Sequence, residues 1–443
     1  MPNNLTRLTT RLKHNFNQAI RWLTPGLGVK RWFSLILFGI TLLGVGLGIL
    51  LLDFYRNAPE TWWLPVITFL SLRFLPRFVR FLIFGGIGLS LILIGLWGVN
   101  RSLVIPFLRP GQRLVDQISE YRRREKGPRV VVIGGGHGIS TVLRGLKDYS
   151  HNLTAVVSVA DDGGSSGELR KSLGILPPGD IRNCLAALSN DEDLLTQLFQ
   201  YRFSGESGLS GHSFGNLFIS ALVDITGSFE EAIIESGRVL SVHGKVIPST
   251  LENVKLIADV QLPFIGTEIR VEGESHIPQT NGKLQRVWIE PNDAAAFPPV
   301  IQAILNADMI VIGPGSIYTS ILPNILVPDL LSAFQSSRAL KILVCNIATQ
   351  KGETDNFSSS DHVDTLELNL GKSAFDVIIC NNNYPVTPQS NGVKLVQVDE
   401  KLLSDNRTYC ADIIDVDNPW RHDSVKLGKL LIDLLYERTG PLI

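Results

Sequence analysis

The chain has 443 residues, room for two to three domains. Its 41 Lys and Arg against 42 Asp and Glu give a formal net charge of −1, so no global positive field directs it to nucleic acid. The four cysteines, Cys184, Cys345, Cys380 and Cys410, show no metal-site or redox spacing. They read as buried thiols in a reducing compartment.

In chain order, residues 1–31 carry Arg7, Arg11, Lys13, Arg21, Lys30 and Arg31 and no acid. Trp32 to Leu52 is an uncharged apolar run of spanning length, and Phe81 to Val99 is a second. Trp62, Trp63, Arg73, Phe74, Arg77 and Arg80 between them suit an interface. Arg101, Arg109, Arg113, Arg122, Arg123, Arg124 and Lys126 follow. The basic excess on both outer flanks predicts an anchor over 1–108 with two transmembrane helices, at 32–52 and 81–99, and both ends in the cytoplasm. The first run begins too late and is too long for a cleaved signal peptide. Residues 109–128 read as a charged linker whose Arg122–Arg124 triplet suits anionic headgroups or a solvated face equally.

From residue 129 the pattern changes to strands and helices. Arg129 to Ile133 is a β-branched run, stopped by Gly134, Gly135, Gly136, His137 and Gly138. Ile139, Val142, Leu143 and Leu146 then share one helical face. Leu153 to Ala160 is a second apolar run, ending in Asp161, Asp162, Gly163, Gly164, Ser165 and Ser166. This predicts a β-α-β unit with a glycine-rich turn at each strand end. Such turns gather at the carboxyl edge of a parallel sheet. Glycines there admit positive φ or a close ligand, and a helix N-terminus suits a phosphate. The pattern departs from G-x-G-x-x-G because position 139 is Ile, which leaves a dinucleotide site as the minor reading. Asp161 and Asp162 could hold Mg²⁺ on a diphosphate or only shape their loop.

Residues 168–243 read as mainly helical. The turn at Asp180, Arg182 and Asn183 and the turn at His212, Ser213 and Asn216 each open a helix. Their side chains suit phosphate, ribose hydroxyls and a base edge, or serve as caps. Residues 245–290 read as a small β insertion, with strands at 255–261, 268–272 and 284–290. Further strands at 309–312, 341–347 and 375–380 end in polar turns, the first holding Gly313, Gly315, Ser316 and Thr319. Trp420, Arg421, His422 and Asp423 precede a last helix, where Arg421 could reach a phosphate or base. The expected fold is a doubly wound, Rossmann-like, mostly parallel sheet over 129–443. A nucleophile elbow, a Cys-His pair of interpretable spacing, zinc spacing and a Walker A lysine are all missing from the sequence.

Six segments appear in order: IGGGHGISTVLRGLK, VADDGGSSGELR, LGILPPGDIRNCLAALS, GHSFGNL, IGPGSIYTSILPNILVP and NIATQKGETDNFSSSDHV. Together they resemble the gluconeogenesis factor (YvcK) family, within the superfamily of 2-phospho-L-lactate transferase. The resemblance covers nearly all of 129–438. His137 departs from it, since the family turn commonly has Thr, and the N-terminal anchor is expected to fall outside it. The resemblance implies a sugar-nucleotide ligand such as UDP-N-acetylglucosamine and a role in cell shape and wall supply during gluconeogenic growth. It implies no catalytic residue. Carried over by motif, the phosphate contacts would be Gly134 to Gly138 and Gly163 to Ser166. Base and sugar contacts would come from the Asp180–Asn183 and His212–Asn216 turns, Gly313 to Thr319, and Arg421. The alternative is a transferase using a guanosine diphosphate-linked donor and a deazaflavin acceptor. A weaker alternative is an NAD-dependent oxidoreductase. Expected partners are a UDP-sugar, the membrane and further copies of the chain.

Overall fold

The computed structural model describes residues 124–440 apart from 190–193, 206–207, 263–266, 281 and 386–392, with scattered positions between 37 and 93. The chain divides into two compact units, 1–123 and 124–443. The two expected membrane helices lie largely outside the described residues. Among the described residues no single helix is long and apolar enough to cross a membrane.

The second unit is built on a seven-stranded sheet. Its strands in chain order are β1 (Val130–Gly134), β2 (Leu153–Val157), β3 (Lys245–Pro248), β7 (Met309–Ile312), β8 (Leu340–Val344), β9 (Val377–Asn381) and β10 (Thr408–Ala411). Between β3 and β7 come β4 (Lys255–Gln261), β5 (Glu268–Glu272) and β6 (Lys283–Glu290), which form a separate antiparallel sheet in the order β5-β4-β6. The insertion is therefore shorter than expected. It starts at β4, because β3 pairs in parallel with β2 and belongs to the main sheet.

The main sheet runs β10-β9-β8-β7-β1-β2-β3, and each pairing is parallel. β1 and β7 are entirely buried, which is why their sequences are continuous apolar runs rather than alternating ones. The two-residue strand period sends Val131, Ile133, Ile310 and Ile312 into one core and Val130, Val132, Met309 and Val311 into the other. The first core is covered by α7 (Pro298–Asn306), α8 (Pro328–Ser336), α9 (Ser359–Leu370) and the insertion. The second is covered by α1 (Gly136–Leu146), α3 (Gly179–Leu188), α5 (Phe214–Thr226), α6 (Phe229–Val239) and α10 (Ser424–Thr439). Helix α2 (Gly164–Leu173) precedes α3, and helix α4 (Leu194–Gln200) precedes α5.

Strand order reverses beside β1. From β1 the chain winds outward to β2 and β3, then returns to β7 on the other side and winds away to β10. In such a sheet the loops after the two central strands diverge and leave a crevice beyond their carboxyl ends. Here those strands are β1 and β7.

Candidate functional site

The crevice is a cleft of about 610 Å³. Gly135, Gly136, His137 and Gly138 line it from the start of α1, and Gly315, Ser316, Thr319 and Ser320 from the loop after β7. Asp161, Asp180 and Arg421 also reach it. Glu274 enters from the insertion, Gln350 and Glu353 from the loop after β8, and Trp420 and His422 from the segment before α10.

The glycines of the first turn are there for contact rather than for positive φ. None of residues 134–138 has positive φ, and Gly135 caps α1 at φ −99°. A Cβ on Gly136 would lie 2.5 Å from the Asp180 backbone, and one on Gly138 would overlap the Pro314 carbonyl. Positive φ belongs instead to the second turn, at Gly164 (46°), and to the loop after β7, at Gly313 (73°) and Gly315 (153°). Gly313 thereby bends the chain away from β7. Asn346 then fixes the loop, with Gly315 N donating to its Oδ1 and its Nδ2 donating to the Gly315 carbonyl, each at 2.9 Å.

The other expected residues stand behind or beside the cleft. Gly134 is the buried last residue of β1. Arg182, Asn183, Ser213 and Asn216 are buried and joined in one network. Arg182 donates to Ser213 Oγ, to Asn216 Oδ1 at 3.1 Å and to Asn183 Oδ1 at 2.8 Å. Asn216 Nδ2 donates to Ser165 Oγ at 3.0 Å, and Ser165 Oγ lies 3.0 Å from His212 Nδ1. The network touches the cleft through Asn183, whose Nδ2 donates to His137 Nδ1 at 3.2 Å. That bond needs a neutral imidazole. Burial, then the positive charges of Arg182, Arg421 and Arg202, lower the His137 pKa accordingly.

Gly163 caps α2, and the Ser166 hydroxyl donates to Asp161. Asp162 turns the other way and accepts from Ser275 N of the insertion at 2.9 Å. Asp161 and Asp162 thus do not present paired carboxylates to one ion. Among the described residues no group of three or more His, Cys, Asp or Glu is placed to hold a metal.

Among the described residues, four carboxyls, Asp161, Asp180, Glu274 and Glu353, share the lining with one guanidinium, that of Arg421. Burial is the largest influence on each of the four carboxyls, and it disfavours the charge. It pushes Asp180 up to about 6 and Glu274 to about 8, and raises Asp161 and Glu353. Asp180 accepts the Gly136 N–H, a donor that α1 leaves unsatisfied at its N-terminus. Sequence reasoning placed the turn of Gln350 and Glu353 along the crevice but singled out none of Glu274, Gln350, Glu353, Trp420 or His422 as a site residue. The polar turn after β8 and the Trp420–Asp423 group were signals for four of them. Nothing local marks Glu274.

His422 is buried, and its Nε2–H donates to the Cys345 carbonyl at 3.0 Å. Burial lowers its pKa to about 4. An unfolded histidine titrates near about 6.5. The stability that depends on neutral His422 is complete above that value and is lost as pH falls from there toward 4. His422→Gln, which keeps a donor for Cys345, should remove about 3 kcal/mol of that acid-side loss. Urea midpoints at stepped pH check this, and parallel acid slopes for the two proteins would refute it.

Comparison with known proteins places this arrangement. The family model described as 2-phospho-L-lactate transferase CofD matches residues 130–414. The gluconeogenesis factor of Bacillus subtilis is 42% identical over 325 residues, covering 70% of this chain and 99% of the relative. The chain belongs to this family. A relative in Nostoc sp., named only provisionally as a gluconeogenesis factor, is 42% identical over 442 residues and covers 96% of this chain and 94% of itself. The N-terminal segment, expected to stand outside the family, therefore has a counterpart within it. A crystal structure of a Bacillus halodurans protein of the UPF0052 family is similar at a TM-score of 0.63 and 42% identity. It covers 69% of this chain and 99% of that one. These two Bacillus proteins thus match about 70% of this chain, whereas the Nostoc relative matches 96% of it.

Proposed function

We propose that the cleft binds a nucleoside diphosphate sugar of the UDP-N-acetylglucosamine kind, and that the protein is a non-catalytic regulator of cell shape and envelope synthesis in gluconeogenic growth. The observation that carries this is the start of α1 opening into the crevice between β1 and β7, where an open α/β sheet takes its ligands. The cleft volume falls within the range of about 300–1,000 Å³ usual for small-molecule sites. The gluconeogenic role is drawn from the name of the Bacillus subtilis relative. The diphosphate would lie at Gly135–Gly138, with sugar and base toward Ser316, Thr319 and Arg421. The N-terminal segment would hold the binding unit at the inner membrane, facing the cytoplasm. Further copies of the chain are the expected protein contacts.

A second reading is a transferase, the class named in the description of the matching family model; its donor would be guanosine diphosphate-linked and its acceptor a deazaflavin. In that case the raised carboxyls would be candidate bases. Calorimetric titration of the full-length protein with UDP-N-acetylglucosamine, UDP-glucose, GDP and NAD separates the readings. Selective binding of a UDP-sugar without turnover is expected. Preference for GDP with turnover of a deazaflavin acceptor would replace the regulator by the transferase, and preference for NAD would refute both.

A further inference from the structure

Arg182 sets the direction of the hydrogen bonds around it. It is buried, and three neutral side-chain oxygens hold its guanidinium, those of Ser213, Asn216 and Asn183. A guanidinium has donors only. The atom that Asn183 turns to it at 2.8 Å is therefore the amide oxygen, and so is the atom that Asn216 turns to it at 3.1 Å. Flipping either amide would set donor against donor. Each asparagine thus presents its NH₂ group on the side away from Arg182.

One branch of this network ends inside the protein. Asn216 Nδ2 donates to Ser165 Oγ at 3.0 Å, and Ser165 Oγ lies 3.0 Å from His212 Nδ1. On the other side of that ring, Nε2 lies 3.2 Å from Glu168 Oε2. A carboxylate there requires the ring proton on Nε2. Nδ1 of the neutral ring then accepts from the Ser165 hydroxyl. The branch runs from a donor-only cation to an accepting carboxylate with every proton placed.

The other branch ends in the cleft. Asn183 Nδ2 donates to His137 Nδ1 at 3.2 Å, so Nδ1 is an acceptor and the ring carries its proton on Nε2. His137 is exposed and lines the cleft. Among the described residues its Nε2 meets no acceptor. The position favours an anion as that acceptor. His137 lies in the first turn of α1, where backbone N–H groups and the positive end of the helix point outward. Three guanidiniums, those of Arg182, Arg421 and Arg202, act on the ring against one carboxylate, that of Asp161.

We infer that His137 donates through Nε2–H to a phosphate oxygen of the ligand, and that Arg182 and Asn183 are positioning residues that fix this tautomer without touching the ligand. This rests on the cleft being the nucleotide-sugar site. A phosphate oxygen closes this branch as Glu168 closes the other. Arg182 and Asn183, expected from the sequence to contact base and sugar, act instead through the imidazole in front of them.

The first test needs no ligand. In the full-length protein labelled at the histidine ring nitrogens, the ring signals lost in His137→Gln should carry the Nε2–H pattern at neutral pH. A pattern of Nδ1–H or of a doubly protonated ring overturns the assignment, whether or not the cleft binds nucleotides. Asn183→Asp replaces the amide donor by an acceptor, so the same ring should gain a proton on Nδ1. An unchanged pattern would remove Asn183 as the positioning residue, and if this variant does not fold the wild-type pattern still decides the tautomer. The second test is titration with UDP-N-acetylglucosamine and with GDP. His137→Ala should weaken both about ten- to a hundredfold, the effect of one hydrogen bond to a charged group. His137→Gln, whose amide N–H can occupy the place of Nε2–H, should recover most of that loss. Unchanged affinity in His137→Ala, or equal losses in the two variants, would overturn the donor role. Loss confined to one ligand would put the contact on a sugar or a base and overturn the phosphate assignment. Absence of binding by either nucleotide in the wild type would refute the nucleotide reading and the phosphate contact with it, while the nitrogen signals alone decide the tautomer.

Discussion

Replacing Gly138 by Ala is expected to destabilise the fold by about 3 kcal/mol or more, with loss of the cleft. The added Cβ would overlap the Pro314 carbonyl oxygen and lie 2.6 Å from its carbon and 2.9 Å from Gly315 Cα. All of these are backbone atoms, so no side chain can swing aside. Helix α1 has no room to retreat either. Near its other end, a Cβ on Gly145 would overlap the Ser424 carbonyl at the start of α10, and one on Gly428 would sit 2.5 Å from the Gly145 backbone. The helix is gripped between the β7 loop and α10. Gly208→Ala is the control, since a Cβ there meets nothing within 4 Å and φ needs no glycine. Its effect should stay within about 0.5 kcal/mol. Urea unfolding of both proteins decides the matter, and equal midpoints would mean that α1 can shift after all.

The second large effect has the opposite sign. Asp180→Asn should stabilise the protein at neutral pH by about 1–3 kcal/mol. Asp180 lies deep in the cleft, where burial raises its carboxyl from the ordinary 3.8 to about 6. A carboxyl raised on folding gives its full stability below the unfolded value and loses it as pH climbs through the folded one. At pH 7 the native state therefore carries a costly charge, and asparagine removes it while keeping an oxygen for the Gly136 N–H. The gain should be near zero at about pH 4 and complete by about pH 7. A less stable Asp180→Asn at neutral pH would show that Arg182 more than offsets the burial. A carboxyl kept at such a cost in a ligand cleft is a usual mark of function.

Much of the architecture could be read from periodicity. The apolar runs at β1, β2, β7, β8 and β9 have that pattern because both faces of each strand meet a packed layer. β3 and β10 escaped reading as main-sheet strands for the converse reason. They are the sheet edges, partly exposed, and their four-residue sequences lack a two-sided apolar signature. The glycine turn after β1 was legible as a special position, but its cause was not. Residues 134–138 read equally well as turn formers or as points of close approach, and only the neighbouring Asp180 and Pro314 backbones distinguish the two.

The site divides in the same way. Gly135–Gly138, Ser316, Thr319 and Arg421 stand out in the sequence because each sits in a polar turn or group next to an apolar element. Gly163–Ser166 stand out just as clearly, yet of that strand-end stretch only Asp161 reaches the cleft. β2 lies on the far side of β1 from β7, so its turn flanks the crevice instead of facing it across the gap. Glu274 carries no local mark, because an antiparallel sheet inserted between β3 and β7 delivers it from a different layer.

What the amino-acid sequence determined unaided was local: which segments alternate as strand and helix, where the glycine turns fall, and how apolar the first hundred residues are. These depend on residues a few positions apart, and spacing along the chain records them. The tertiary structure decided which strands are neighbours, and so which loops share a cleft and which carboxyls line it. Strand order is set by the summed burial of both sheet faces and by crossovers tens of residues long. No single segment carries that information. Glu274 and Glu353 meet in one cleft only once the whole sheet has closed.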